Sequence, residues 1–178
     1  MKTYVLILSI AYIILGSCTN SLKKTSGNEI NADSLLREKL RYTVLTDMKE
    51  IHEVIDGSKI LWKPTSIQLQ TIESIVIQAI GEKNKNGYYK NLSAEKFRNY
   101  YKQYVCYIDK NGDSLVYLNA FCVLENLPVI DANGKASVHK FDWQHQMMFV
   151  LDGGDCYWNI VVNLTKRKYL RFSVNGVA

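Results

Sequence analysis

The order of two hydrophobic periodicities constrains this chain most. One segment carries apolar residues at three- and four-residue steps, the spacing of one helix face: Leu69, Ile72, Ile75, Val76, Ala79 and Ile80. Thr65 and Gln68 match a capping box directly after Pro64, which predicts where that helix begins. From Lys102 onward the pattern changes to short apolar runs separated by turn signals, which is typical of strands. A helical region followed by a run of strands predicts an α+β domain.

The first predicted hairpin is centred on Asn111-Gly112, between two apolar runs. Asn-Gly is the strongest short hairpin signal, because both central residues of a type I′ turn need positive φ. If these two residues form the turn, Cys106 faces Tyr117 on the neighbouring strand. Cys106 and Cys122 then lie on opposite faces of the sheet, which argues against a disulfide between them.

Further strands complete the predicted sheet. Asp152-Gly153-Gly154-Asp155 is a second hairpin signal, which joins a strand at Met147–Leu151 to one at Cys156–Val162. The basic turn Lys166–Lys168 leads into a last strand at Tyr169–Val174. We therefore expect at least four antiparallel strands with one buried and one wetter face. The odd-numbered residues of Met147–Leu151 belong to the buried face, and the predicted helix lies across it.

The first 17 residues have the composition of an export signal. Met1-Lys2 is positive, and Thr3–Leu15 is almost wholly apolar. This run is too short to span a bilayer, which takes roughly 20 helical residues. It has the length of the apolar region of a secretory signal peptide. Residues 1–17 are therefore predicted to be removed from the mature protein.

The end of this signal resembles the lipobox of bacterial lipoproteins. Leu15-Gly16-Ser17 places a branched apolar residue and two small residues before Cys18, and polar residues follow it. The resemblance implies that Cys18 carries lipid and attaches the protein to a membrane of the cell envelope, since acyl chains anchor without spanning. We expect residues 18–32 to form a polar tether and residues 33–178 to form a single α+β domain.

Charge and composition exclude several classes of function. Without Lys2, the mature chain has 21 basic and 17 acidic residues, a formal charge of +4. This charge is mild and scattered apart from short groups such as Lys166–Lys168, which are interpreted as solvated turns. Nucleic-acid binders usually carry a stronger, clustered positive charge, so no nucleic-acid partner is predicted.

The cysteines left after lipidation of Cys18 are three in number. Cys106, Cys122 and Cys156 allow one disulfide and one free thiol in an oxidising compartment. Either Cys122–Cys156 or Cys106–Cys156 is compatible with the sequence. No C-x-x-C pair supports a redox or zinc-ribbon site.

Histidines and tryptophans near loops are the remaining candidates for a site. His139 and His145 flank Asp142, but their spacing matches no metal-binding or protease pattern. Trp62 and Trp143 lie near predicted loops and could line a ligand cleft or a partner surface. We therefore predict no metal, no cofactor and no catalytic residue. His139, His145, Trp62 and Trp143 are the candidates for a surface that contacts a ligand or partner.

A wider resemblance covers about Leu92 to Ala178. The helix-then-strands order looks like the cystatin-like and nuclear-transport-factor-like folds, in which a helix packs on a curved antiparallel sheet. Four stretches also resemble small exported Bacteroidetes proteins of unknown function: Tyr101–Tyr104, Val116–Cys122, Asp152–Gly154 and Val174–Ala178. The resemblance assigns no catalytic residue.

These observations favour a binding protein over an enzyme. The first hypothesis is a membrane-anchored lipoprotein whose domain binds or inhibits another envelope protein. The second is a small-ligand or catalytic pocket in the hollow between helix and sheet, which requires a cavity with converging polar groups. The third is a structural role in the envelope.

Overall fold

The structure is a computed structural model that describes residues 41–55, 60–124, 126–130 and 133–176. All of these belong to one compact unit, Asn31–Ala178. The predicted signal peptide, Cys18 and the predicted tether lie outside the described residues. No helix in the described part of the chain is long and apolar enough to cross a membrane.

The fold is α+β, as predicted, and is built on a five-stranded sheet with strand order β1-β2-β3-β6-β7. β1 runs parallel to β2 and the other neighbours are antiparallel, so the sheet is mixed. β4 and β5 form a separate hairpin. The elements are β1 (Tyr42–Val44), α1 (Met48–Ile51), α2 (Ser66–Lys83), α3 (Ala94–Phe97), β2 (Tyr101–Ile108), β3 (Ser114–Phe121), β4 (Asn126–Ile130), β5 (Ala136–Lys140), a 3₁₀ turn (Gly154–Cys156), β6 (Tyr157–Asn163) and β7 (Lys168–Val174).

The capping box predicted at the start of α2 is confirmed. The backbone N–H of Thr65 donates to Gln68 Oε1 at 2.8 Å, and the N–H of Gln68 donates to Thr65 Oγ1 at 3.3 Å. The helix ends at Lys83, and Asn84 is its C-cap. Asn84 ends it because its side chain donates to the carbonyls of Tyr89 and Leu92 and accepts from the Tyr89 N–H.

The face of the sheet that α2 covers, called here the first face, holds the largest core. The apolar stripe of α2 packs on β6 and β7, as the helical spacing predicted. Trp158 lies at the centre of this core, with ring centroids 5.2 to 5.8 Å from three other aromatic rings. The buried members are Ile72, Ile75, Val76, Ala79, Ile80, Leu92, Phe97, Tyr100, Tyr104, Cys106, Val116, Leu118, Ala120, Trp158, Ile160 and Val162.

The opposite face, called here the second face, is more buried than predicted. Residues of α1 and the segment Phe141–Val150 cover much of it, and they form two further cores with β2, β3 and β6. Tyr157 and Asn163, which point to this face, are buried, whereas Arg171 and Ser173 are exposed. Only the β7 side of the second face therefore resembles the wetter face that the alternation indicated.

The register predicted for the first hairpin is wrong by one residue. Cys106 pairs with Val116 and not with Tyr117. Asp109 causes the shift, because its carboxylate accepts the N–H groups of both Asn111 and Asp113 and closes a longer turn. In the observed register Cys106 and Val116 share a face, so the argument that separated Cys106 from Cys122 by face also fails.

The strand predicted at Met147–Leu151 is wrong. This segment has no strand pairing, and β6 pairs with β3 instead. Gly153 and Gly154 have positive φ, but Gly153 caps the 3₁₀ turn and Gly154 begins it, so the two glycines do not close a hairpin. β2, β3, β6 and β7 are the four antiparallel strands of the sheet, whereas β4 and β5, which the sequence did not indicate as strands, form a separate hairpin.

The disulfide joins Cys122 to Cys156, one of the two pairings that the sequence allowed. It links the ends of β3 and β6, where the Cys122 N–H also donates to the Cys156 carbonyl at 3.0 Å. Cys106 is the free thiol and is buried in the first-face core.

Candidate functional site

The four residues predicted to form a contact surface do not come together as one. Trp143 is buried against Tyr101 and Phe121, and Trp62 packs on the first-face core. His139 lies within β5. His145 is exposed. Both tryptophans therefore contribute to packing, with Trp143 buried and Trp62 half-buried.

His145 and Asp142 form an exposed pair. His145 Nδ1 lies 2.9 and 3.0 Å from the two carboxylate oxygens of Asp142. Such a pair orients a base, but a base needs a nucleophile or substrate within hydrogen-bond reach. Within the described ranges no serine, threonine or cysteine side chain is hydrogen-bonded to this histidine. The pair therefore stabilises its own turn and supports no catalytic assignment.

Two titratable side chains are buried where a substrate would not reach them. Burial raises the pKa of the Cys106 thiol to about 12, which keeps it protonated and unreactive. Lys102 is 4% exposed, with Nζ 5.0 Å from the centroid of the Phe97 ring, and burial lowers its pKa. Neither of two surface depressions, described below, reaches these groups. Among the residues that the structure describes, no three His, Cys, Asp or Glu side chains are placed to hold a metal.

A buried amide instead organises the second face. Gln103 is fully buried, and its Nε2 donates to the carbonyls of Trp143 at 2.7 Å and Gln146 at 2.6 Å. Its Oε1 accepts from the Met148 N–H at 2.9 Å and from Asn119 Nδ2 at 3.1 Å. Both donors and both acceptor sites of the amide are therefore used, and they fix the segment Phe141–Val150 to the sheet.

The same segment leads to Leu151, an exposed apolar residue whose neighbouring backbone carbonyls are held by hydrogen bonds. Asn175 Nδ2 donates to the carbonyls of Val150 and Asp152, the two residues that flank Leu151. Leu151 is nevertheless 98% exposed, and Phe149 is 58% exposed. We call Phe149 and Leu151 the apolar rim. An apolar side chain held outward by its own backbone contacts is a feature of partner surfaces.

Two depressions open on the second face. The larger has a volume of about 440 Å³ and is lined by Tyr107, Leu115 and Val161, with charged residues such as Lys110 and Arg171 at its margin. The smaller, of about 60 Å³, lies beside Phe149 of the apolar rim. Both are shallow, and the charged side chains at the larger one do not converge on one hydrogen-bonded centre.

The hollow proposed between the helix and the sheet is filled. Tyr100, Tyr104 and Trp158 are at most 2% exposed between α2, α3 and the first face. A ligand pocket at that place would need these side chains to move. The filled core therefore leaves no cavity for a pocket between the described helix and sheet, and the two depressions described above lie on the second face.

Comparison with known proteins adds no relative. No protein-family profile matches the sequence, no curated protein matches it, and no solved structure matches the fold. The candidate site therefore rests on the chemistry of the described residues.

The sequence did not indicate the apolar rim. Phe149 and Leu151 were predicted to be buried, because their spacing fits the buried face of a strand. Asn119 and Asn175 carry the contacts that overturn this prediction, and nothing in their sequence neighbourhood marks them. Gln103, which directly precedes the apolar run of β2, was the available signal, since a buried amide needs partners.

Proposed function

We propose that the protein is a lipid-anchored protein of the bacterial cell envelope whose α+β domain binds another protein and catalyses no reaction. The lipobox-like sequence before Cys18 supports the anchor. The apolar rim supports the binding role. The closed environments of Cys106 and Lys102 favour binding over catalysis.

One observation carries the binding role, namely the exposure of Leu151 on a backbone held from both sides. A leucine on a flexible loop would lose backbone entropy on binding, whereas Asn175 already holds the backbone on both sides of Leu151. Burying a leucine side chain contributes about 1.5–3 kcal/mol, enough for one anchor residue of an interface. The fitting partner is an envelope protein with an apolar pocket for this side chain.

Site-specific photo-crosslinking in cells tests this role. A photoreactive amino acid at Leu151 should give one discrete protein adduct at the envelope. Ile67 is the matched control, since it is also a large apolar residue that is exposed, at 76%, but lies in the first turn of α2. The same adducts from both positions, or none from Leu151, would contradict the proposal.

Metabolic labelling tests the anchor separately. Cells that express the full chain should incorporate a palmitate analogue into the protein, and Cys18→Ser should abolish the label. Cys106→Ser is the control, because this cysteine is buried in the domain and should not affect labelling. Label retained in Cys18→Ser would refute lipidation and leave the crosslinking result unaffected.

A further inference from the structure

The outer edge of β7 carries backbone groups that pair with no described strand. β7 is the last strand of the sheet, and in the described part of the chain it pairs only with β6. Asn175 donates its N–H to the carbonyl of Tyr157, opposite it on β6. In an antiparallel ladder such pairs alternate with pairs whose N–H and C=O groups point away. The backbone groups of Phe172 and Val174 therefore face outward from the sheet.

This edge is strongly basic. Lys166, Arg167, Lys168 and Arg171 lie in or directly before β7, and no aspartate or glutamate occurs from Cys156 to Ala178. Lys166 is held by the carboxylate of Asp113. Arg167, Lys168 and Arg171 are exposed and form no ion pair with a described acidic residue. A second copy of β7 would bring like charges together, so this edge is protected against pairing with itself.

We propose that the outer edge of β7 binds an extended acidic segment of a partner protein as a sixth strand. Phe172 and Val174 supply the backbone hydrogen bonds, and the basic residues supply the charge that selects the partner. The proposal depends on the strand edge and its charges, and it does not require the apolar rim.

The two faces of β7 define which residues the partner carries. Arg171 and Ser173 point to the second face, whereas Phe172 and Val174 pack on the first-face core. Side chains of an added strand alternate between the same two faces. The partner segment therefore has acidic residues at alternate positions, beside Arg171, and apolar residues between them, beside Phe172 and Val174.

Fluorescence anisotropy with a labelled peptide tests the proposal on the full chain purified in detergent. The probe is a short peptide that alternates glutamate and valine, and the reference peptide has lysine in place of glutamate. We expect binding of the acidic peptide only, and weaker binding at higher salt because the charges are exposed. Arg171→Glu should weaken binding at least about tenfold, since attraction becomes repulsion. Arg98→Glu, at an exposed arginine outside β7, should leave binding unchanged.

A backbone variant separates strand addition from simple charge attraction. Val174→Pro removes an N–H that takes no part in the ladder with β6, so the fold should tolerate it. We expect this variant to lose peptide binding while its thermal unfolding stays close to that of the unaltered chain. Unchanged binding by Val174→Pro, or equal binding of the lysine peptide, would overturn the proposal.

Amide exchange measured by NMR gives an independent result on the unaltered chain. Bound acidic peptide should slow exchange of the Phe172 and Val174 amides by about tenfold or more, because both gain partners. The Ser173 amide, which already faces β6, should change much less. Equal protection of all three amides, or of none, would also refute strand addition.

Discussion

The side-chain oxygen of Gln103 accepts a hydrogen bond from the side chain of Asn119, 3.1 Å away on the neighbouring strand. Asn119 also donates to the carbonyl of Met148 at 2.7 Å, while Gln103 accepts from the Met148 N–H. The sequence indicated a strand at Met147–Leu151. This segment is instead held by two side-chain amides that face each other across β2 and β3. They hold an irregular segment on the sheet with its backbone groups satisfied.

Gln103→Leu should therefore destabilise the domain strongly. The leucine would leave the carbonyls of Trp143 and Gln146 and the N–H of Met148 without their partner. Each unsatisfied buried group costs about 1–3 kcal/mol, so we expect a loss of at least about 3 kcal/mol in the free energy of unfolding. Urea denaturation followed by tryptophan fluorescence measures it.

Thr43→Val is the matched control for that change. Thr43 Oγ1 donates a single hydrogen bond, of 3.0 Å, to the carbonyl of Gln144 on the same segment. We expect this variant to lose about 1 kcal/mol. If Gln103→Leu cost no more than Thr43→Val, the buried amide would not be what fixes the segment.

Local signals determined how much of the fold could be predicted. The start of α2 was predictable because Thr65 and Gln68 contact each other within one helical turn. The hairpin at Asn111-Gly112 was also predictable, but its register depended on the carboxylate of Asp109, which the dipeptide rule ignores. The segment Met147–Leu151 was not predictable, because its partners Gln103 and Asn119 lie 28 to 45 residues away in sequence.

The sequence did not predict β4, the packing of Trp62 and Trp143, or the position of the basic residues at a sheet edge. β4 contains Pro128, which normally argues against a strand, yet it is tolerated in an isolated two-stranded hairpin. Trp62 and Trp143 were assigned to a surface because they neighbour loops, but the segment of Trp62 pairs with β2 and the segment of Trp143 covers the second face. The basic residues around β7 were interpreted as a solvated turn, and only the strand order showed that they border an unpaired edge.

Gly153→Ala should be more costly than an equivalent change at Gly112. Both glycines have left-handed φ, 86° and 82°, so alanine is strained at either position by roughly 1–2 kcal/mol. At Gly153 the added Cβ would also lie 2.6 Å from the ring of Tyr157, whereas at Gly112 it would meet open space. Tyr157 is buried with Phe121 and Trp143 and cannot move freely. We expect a loss of about 3 kcal/mol for Gly153→Ala against about 1 for Gly112→Ala, measured by urea denaturation. Equal losses would show that the ring adjusts without cost.

The disulfide should contribute measurably to stability. Cys122 and Cys156 are 34 residues apart, and a crosslink of this span is worth about 3–4 kcal/mol in the chain-entropy description. We expect the Cys122→Ala/Cys156→Ala variant to lose that amount, and reductant to lower the melting temperature of the unaltered chain only. Alkylation of the unreduced domain in denaturant should modify Cys106 alone among Cys106, Cys122 and Cys156. Modification of all three would rule out the bond.

High pH should unfold the domain through groups that resist ionisation in the folded state. Burial raises the pKa of Cys106 from 9.0 to about 12 and that of Tyr100 from 10.0 to about 12, and it raises the pKa of Tyr104 well above 10.0. In the unfolded chain these groups lose protons at their ordinary values. Their contribution to stability is therefore fully present below about pH 9 and is lost as pH rises toward 12.

The slope of this loss isolates the thiol. Each proton that unfolding releases lowers the free energy of unfolding by about 1.4 kcal/mol per pH unit. Between pH 9 and 12, the window set by the ordinary and raised pKa of Cys106, Cys106→Ala should reduce the slope by close to one proton. Its absolute stability changes as well, because a buried sulfur is removed, so the comparison is made on slopes from urea denaturation at several pH values. A slope identical to that of the unaltered chain would mean that Cys106 ionises as readily in the folded domain as in the unfolded chain, and that the thiol is not sealed within the first-face core.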